Sequence, residues 1–358
     1  MKKILTVLGA RPQFVKAAVI SRLINSKYSD KLQEIIVHTG QHYDKAMSEV
    51  FFQEMSIPHP KYLLNTGNKP QGEMTGLMLI ELEKIMLKEN PDLVVVYGDT
   101  NTTLAASINA VKLHIPVVHI EAGMRSGNKR MPEEINRIVS DHIATYLFCT
   151  TTEPAENLRQ ENITNNVHVV GDVMYDAVLY YKNYSKPPVQ ITNLPENFCL
   201  ATCHRQENTN DRNRLEQIFS ALRFISLNYN KVVLPLHPRT KKYIDQYNIS
   251  TENIIIIEPL SYLEMIHYLK QTKIVITDSG GLQREAYYFE KPVIILNEQT
   301  EWKELLENNV AICSGANSSK ILQYYNQLQS LNTKPAFKGI YGDGLAAHKI
   351  LDILSSLN

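Results

Sequence analysis

A chain of 358 residues is longer than one hydrophobic core normally supports, which predicts two domains. Its composition, 44% hydrophobic and 21% charged, is that of a globular protein and excludes wholesale disorder. A formal net charge of zero gives no bulk attraction to nucleic acid or anionic membrane, and no apolar run approaches the roughly 20 residues of a membrane span, so neither is expected as a partner.

The chain starts MKKILTVLGARPQ, a short apolar run without the long apolar region and cleavage site of a signal peptide. It reads as a first buried strand, and the expected location is the cytoplasm. PQFVKAAVISRLINS follows with helical period, and then EIIVHTG, LVVVYGD, PVVHIEAG, YLFCTT and VHVVGD. These runs are rich in Val and Ile with little alternation, as in parallel strands buried on both faces. YYKNYSKPPVQITNLPEN carries three prolines and reads as a linker. A second series comprises FCLATCHR, VVLPLHP, NIIIIEPL, IVITDSGG, PVIILN and AICSG, with SYLEMIHYLKQT among its helical segments. YGDGLAAHKILDILSSLN reads as a glycine turn and a closing amphipathic helix. The class is α/β: two Rossmann-like, doubly wound domains at 1–180 and 198–339, a linker at 181–197 and a terminal helix at 340–358.

In open α/β sheets ligands bind beyond the carboxyl ends of the strands. Those positions hold Gly9-Ala10-Arg11, Gly40-Gln41-His42, Gly98-Asp99-Thr100, Glu121-Ala122-Gly123, His204-Arg205, His237-Pro238-Arg239 and Asp278-Ser279-Gly280-Gly281. So much charge, imidazole and glycine predicts a cleft shared by the two domains. IVITDSGGLQREA is the clearest signal: glycines let a backbone approach a phosphate, a helix start attracts anions, Ser279 adds a hydroxyl, and Glu285 is placed to accept from ribose hydroxyls. A plain Asp/Ser helix cap is the alternative. GARPQFVK presents Arg11 for bidentate phosphate contact, with Lys16 one turn on. Asp99 either caps the helix after it or leaves that task to Thr100. HIEAGMRSGNKRMPEEINR places Glu121 at a strand end, a loop with Arg125, Lys129 and Arg130, and the Glu133–Glu134 pair at a helix start.

His119 and Glu121 form an HxE, but no PCxxC follows, and no metal is expected. Cys149, Cys199, Cys203 and Cys313 form no CxxC pair and read as buried free thiols. The residues thus predict an anion-binding half in the second domain and an acid-rich half in the first. A sugar nucleotide fits both.

With these motifs in view, the chain resembles the non-hydrolysing UDP-N-acetylglucosamine 2-epimerase family, from GARPQFVK to YGDG through GDTNTTLAA, HIEAGMRS, PEEINR, TDSGGLQREA and KPVIIL. The resemblance implies a GT-B fold, a homodimer, a UDP-sugar substrate and no cofactor. It implies inversion at C2 by elimination of UDP to a 2-acetamidoglycal and re-addition. By motif, Asp99, Glu121, Glu133 and His204 correspond to catalytic positions. Arg11, His237, Ser279, Gly280, Gly281 and Glu285 correspond to nucleotide contacts, and Arg137 to a further cleft contact. Lys16, Gln41, His42 and Arg239 complete the expected substrate-binding set. A hydrolysing epimerase, a GT-B glycosyltransferase and a sugar-nucleotide sensor are the alternatives. The chain has GARPQ where GTRPE is usual, VHTGQHYD for TAQHRE and GDVMYDA for GNTVIDA. These departures resemble the branch acting on UDP-2,3-diacetamido-2,3-dideoxyglucuronate, whose C6 carboxylate Lys129, Arg130 or Arg239 would receive.

Overall fold

The computed structural model describes residues 1–41, 54–55, 57–187, 194–330, 337 and 339–357. The chain divides into two compact units, Met1–Tyr180 with Tyr341–Asn358, and Tyr181–Ile340.

In the first unit the strands are β1 (Lys2–Leu8), β2 (Leu32–His38), β3 (Tyr62–Leu63), β4 (Leu93–Tyr97), β5 (Val117–Ile120), β6 (Tyr146–Cys149) and β7 (Val167–Val169). All pair in parallel, in the order β3-β2-β1-β4-β5-β6-β7. Helices α1 (Arg11–Lys27), α2 (Gln71–Glu89), α3 (Asn101–Lys112), α4 (Pro132–Ile143), α5 (Thr152–Gln160) and α6 (Val173–Tyr181) connect them or follow them. Among the described strands of this unit, β3 is the one that the apolar runs do not announce. It is two residues long, lies at the sheet edge and leaves Leu63 exposed, so it carries no apolar signal. Central strands are buried on both faces; Ile4 through Leu8 are all inaccessible. On one face Leu5, Val7, Val94 and Val96 pack with Met78 and Leu82 of α2 and Ala105 and Ala106 of α3. α1 and α4 each carry proline in their first turn, where its missing N–H has no helical partner to lose.

The second unit repeats the plan with β8 (Cys199–Thr202), β9 (Val232–Pro235), β10 (Ile255–Ile257), β11 (Ile274–Thr277), β12 (Val293–Ile295) and β13 (Ala311–Cys313), ordered β10-β9-β8-β11-β12-β13. Its helices are α7 (Gln206–Thr209), α8 (Arg212–Asn228), α9 (Pro238–Tyr247), α10 (Tyr262–Gln271), α11 (Gly280–Tyr288), α12 (Lys303–Glu307) and α13 (Ser318–Ser330). Phe219 and Leu222 of α8 and Tyr325 of α13 cover Ala201, Ile276 and Ile294 of the sheet. Ser261 and Glu264 form a reciprocal capping box that starts α10. Cys149, Cys199 and Cys203 are buried and Cys313 half-buried, all as free thiols.

The last helix, α14 (Ala346–Ser356), belongs to the first unit, where Tyr28, just past the end of α1, donates to Asp352 at 2.7 Å. Its approach is tight: a Cβ on Gly171 would stand 2.9 Å from the Tyr341 carbonyl oxygen, and Gly171 has φ of +99°, so only glycine suits both demands. Asp176 of α6 accepts from the Ala346 and Ala347 N–H groups at 3.2 and 2.8 Å, two of the donors that an α-helix start leaves unpaired. Burial pushes its carboxyl up from 3.8 to about 6 against the pull of those two bonds, with Asp172 and Asp343 adding to the rise. Since the folded value lies above the unfolded one, the protonated form favours the folded state. That contribution is full below 3.8 and is lost as pH rises through about 6. Between about pH 4 and about pH 7, wild type should therefore lose on the order of 1–3 kcal/mol of stability relative to Asp176→Asn, read from urea midpoints. Parallel curves for the two proteins would contradict the raised carboxyl.

Candidate active site

In each sheet the strand order reverses at one point, between β1 and β4 in the first unit and between β8 and β11 in the second. The residues just beyond these four strands are Gly9–Arg11, Gly98–Thr100, Cys203–Arg205 and Asp278–Gly281. They are four of the seven strand-end segments singled out from the sequence.

Beyond β4, Thr100 caps α3, its hydroxyl oxygen accepting from the Thr103 N–H at 3.3 Å. The Asp99 carboxylate is thereby spared that task. It is about one-third exposed (32%) and receives Arg137 at 2.5 Å. Arg137 is itself buried and reaches Glu134 at 3.0 Å, while Asn136 donates to the Asp99 carbonyl at 2.9 Å. α4 thus holds the Asp99 turn through two consecutive side chains.

Beyond β5, Glu121 has φ of +71°, a left-handed backbone that a residue with a side chain adopts at a cost of about 1–3 kcal/mol. The Glu121 and Ala122 N–H groups converge on the Phe148 carbonyl at 3.0 and 3.1 Å, which holds the turn in place. The Glu121 carboxylate is 9% exposed and pairs with the ammonium of Lys16, itself 4% exposed. Lys16 therefore acts on the acid rather than standing open at the helix start. Gln41 is also taken up locally, its oxygen accepting from the Thr102 N–H and hydroxyl, both at 3.0 Å. His42 lies outside the described residues. Gly9 is glycine for want of room: a Cβ there would run into the Thr39 and Thr102 hydroxyls.

The PEE pair divides. Glu134 is buried and accepts from the Ser126 and Gly127 N–H groups at 2.9 and 2.8 Å as well as from Arg137. Burial works to raise its carboxyl, but the Ser126 amide, Arg137 and the Gly127 amide outweigh it and hold it below the ordinary range. Glu133, in the same first turn, stays exposed. The loop cations divide too. Arg125 reaches Asp141 at 2.6 Å and Glu161 at 2.7 Å and is almost buried. The fully buried Asp141 also takes the Gly123 N–H at 3.0 Å and His119 Nδ1 at 2.7 Å, while His119 Nε2 lies 2.8 Å from the Gly98 carbonyl. Sequence reasoning missed this network. Its signal was a histidine inside the apolar run of β5 and an aspartate on the inner face of α4. Lys129 and Arg130 remain exposed, without an ion pair among the described residues.

In the second unit Asp278 is wholly buried. Its carboxylate accepts from the His204 N–H at 2.9 Å, the Arg205 N–H at 2.9 Å and Asn208 Nδ2 at 3.1 Å, so it builds the turn after β8. His204 keeps its imidazole over one-third exposed, with Nδ1 3.6 Å from Asp278 and its ring centre 5.4 Å from that of His237. His237 caps α9 through Nδ1, which accepts from the Arg239 N–H at 3.1 Å. Burial, then the nearby His204 and Arg239, hold its imidazole below the usual value, so the neutral ring is favoured. Arg239 donates to Thr209 at 2.8 Å and Asn210 at 2.5 Å. Ser279 caps α11 by accepting from the Leu282 N–H at 3.4 Å and retains its own O–H as a donor. Among the described residues, nothing beyond its chain neighbours and its own helix backbone lies within 4 Å of where a Gly281 Cβ would stand, and Glu285 is half-buried one turn further on. This helix start offers N–H donors and space to an anion.

Residues 25–355 match the family model described as UDP-N-acetylglucosamine 2-epimerase. The chain is 45% identical to the UDP-2,3-diacetamido-2,3-dideoxy-D-glucuronate 2-epimerase of Pseudomonas aeruginosa, covering 99% of this chain and 100% of that one. It is similar in structure to the UDP-GlcNAc 2-epimerase of Methanocaldococcus jannaschii in complex with UDP-GlcNAc and UDP, with a TM-score of 0.91, 39% identity and 99% of both chains covered. The Neisseria meningitidis UDP-GlcNAc 2-epimerase bound to UDP-GlcNAc matches with a TM-score of 0.88 at 29% identity, over 98% of this chain and 99% of that one.

The division among the loop cations can be checked by unfolding. Arg125→Ala leaves Asp141 and Glu161 without their shared cation and should cost on the order of 3 kcal/mol in denaturant unfolding. Lys129→Ala should stay within about 0.5 kcal/mol of wild type. Equal effects would overturn the assignment of Arg125 to the scaffold.

Proposed function

The chain belongs to the UDP-N-acetylglucosamine 2-epimerase family, and from that premise we propose that it inverts C2 of a UDP-2-acetamido sugar bearing a C6 carboxylate, with Asp99, Glu121, Glu133 and His204 acting on the sugar. The protein is an isomerase, a UDP-sugar 2-epimerase. In the reaction a base takes the C2 proton, the C2–H pair becomes the C1–C2 double bond, and the C1–O pair leaves with UDP. Re-addition of UDP at C1 with delivery of a proton to the other face of C2 completes the inversion. Atoms and electrons balance without an external oxidant.

The observation that carries the residue assignment is the gathering of Asp99 and Glu121 at the ends of adjacent strands, each carboxylate with its own buried cation, Arg137 and Lys16. Each cation holds its carboxylate in a fixed orientation, as proton transfer at one carbon requires. Glu133, exposed in the first turn of α4, and His204 supply further groups for proton transfer. Ser279, Gly280, Gly281 and Glu285 hold the nucleotide, with Arg11 and His237 on its phosphates. The uronate reading is supported by the 45% identity to the P. aeruginosa enzyme and by two exposed cations, Lys129 and Arg130, on the loop between Glu121 and Glu133. Arg239 is the weaker candidate, since Thr209 and Asn210 already occupy its guanidinium. A cytoplasmic homodimer completes the proposal, on the strength of the family resemblance.

In deuterated water, UDP-sugar recovered in both configurations should carry deuterium at C2. Release of free sugar would indicate a hydrolysing enzyme, and unlabelled substrate a transferase or a sensor. Asp99→Asn should lower turnover by roughly 10²-fold while keeping UDP affinity. Glu285→Ala should weaken UDP by about 1–3 kcal/mol. Equal loss of UDP affinity in both variants would sink that division of roles. For the sugar, kcat/KM should favour UDP-2,3-diacetamidoglucuronate over UDP-GlcNAc, and Lys129→Ala or Arg130→Ala should reduce that preference by about 10-fold or more. A preference for UDP-GlcNAc untouched by either change would defeat the uronate proposal.

A further inference from the structure

Gln13 has no part in the chemistry described so far, yet its side chain is 2% exposed between the buried apolar residues of α1 and the sheet. Its carboxamide is fully used. The oxygen accepts from the Gly9 N–H at 2.8 Å and the Ala10 N–H at 3.0 Å. The nitrogen donates to the Tyr97 carbonyl at 2.7 Å and the Thr100 hydroxyl at 2.9 Å, with the Thr103 hydroxyl at 3.2 Å. One planar group thus binds the turn after β1 and the turn after β4.

These are the two strands at which the sheet order reverses, and their paired register ends at Thr6 and Val95. Beyond those residues the main chains part, one toward α1 and the other toward α3. The amide bridges the parted ends. On one side the chain continues directly into Arg11, and on the other through Gly98 into Asp99. We propose that Gln13 is a positioning residue that sets Asp99 and Arg11 relative to each other, a proposal that rests on the reading of Asp99 as an acid/base group.

The residue type matters as well as its size. An amide offers an acceptor to the first turn and a hydrogen to the Tyr97 carbonyl. A carboxylate can serve the first turn but sets oxygen against oxygen at the second. Only a protonated carboxyl supplies the missing hydrogen. The contacts of Gln13 itself are uncharged; the charged groups on the surrounding elements are Arg11 and Lys16 of α1, Asp99 after β4 and Glu121 after β5. Gln13→Glu therefore carries a titratable switch at the bridge.

Gln13→Met keeps the volume and removes the bridge. It should lower kcat by about 30-fold or more, since a displacement near 1 Å at a reacting group is enough for such a loss. Gln13→Glu should approach wild-type kcat at the acid end of the profile and fall at least about 10-fold behind it as pH rises and the carboxyl ionises. Hydrogen exchange gives a readout that needs no turnover: in Gln13→Met, the Gly9–Arg11 and Tyr97–Thr103 amides should both exchange faster than in wild type. A Gln13→Glu enzyme that tracks wild type at every pH would overturn the proposal. So would a folded Gln13→Met enzyme with lowered Tm but unchanged kcat, or exchange that quickens at one turn alone. Absence of C2 exchange by wild type would instead count against the functional reading, leaving the exchange result to decide whether Gln13 ties the two turns.

Discussion

The reversal of strand order in each sheet is the constraint on which the rest depends. A right-handed crossover sends the chain from a parallel strand to one face of the sheet, and reversing the direction of growth sends the next helix to the other. At β1 and β4, and again at β8 and β11, two strand ends therefore diverge without a ladder to close them. The opening must be closed by side chains, and those side chains are polar because the ends they meet are N–H and C=O groups. Gln13 closes it in the first unit. Asp278 does so in the second, with two amides of the turn after β8 and Asn208 of α7.

That solution places an unusual amount of charge out of water. Asp141, Glu134, Arg137, Lys16 and Asp278 are all nearly inaccessible. A buried ion carries a desolvation penalty of several kcal/mol unless partners replace its hydration, and here each is met: Asp141 by Arg125, His119 and the Gly123 amide, Asp278 by two main-chain amides and Asn208. Groups held this way do not reorganise when charge develops nearby, which is the condition for electrostatic preorganisation. The left-handed backbone of Glu121 belongs to the same pattern, since the Phe148 carbonyl and the Lys16 ammonium together hold a conformation the residue would not adopt alone.

The outcome is a sorting of like residues into unlike duties. Glu133 and Glu134 are neighbours on one helix turn, yet one is exposed and the other knits the loop to the helix. Arg125, Lys129 and Arg130 share a loop, yet only Arg125 is sunk between two carboxylates. His119 and His204 both follow apolar strand residues. One is inaccessible and held at both ring nitrogens, the other presents its ring.

Local chemistry was enough to determine much of this from sequence. Val- and Ile-rich runs specify buried parallel strands because only a sheet covered on both faces hides such residues, and twelve of the thirteen strands among the described residues read directly from them. Proline at the helix starts, Thr100 before α3 and Ser279 before α11 mark boundaries through their own hydrogen-bonding capacity, so the positions of Asp99, Glu121, His204 and the Ser-Gly-Gly turn at strand ends were legible. β3 was not, since two half-exposed residues at an edge leave no pattern. Nor could sequence separate Glu133 from Glu134, or Arg125 from Arg130, because burial depends on what packs above a residue: Ser126 and Gly127 folding back on α4, Glu161 meeting Arg125 from the end of α5. The fate of Lys16 was decided in the same way. On the chain it is a cation one turn after an arginine; in the fold a carboxylate 105 positions along the chain reaches it out of water, and that proximity exists only once α1 and the end of β5 are brought together by the fold.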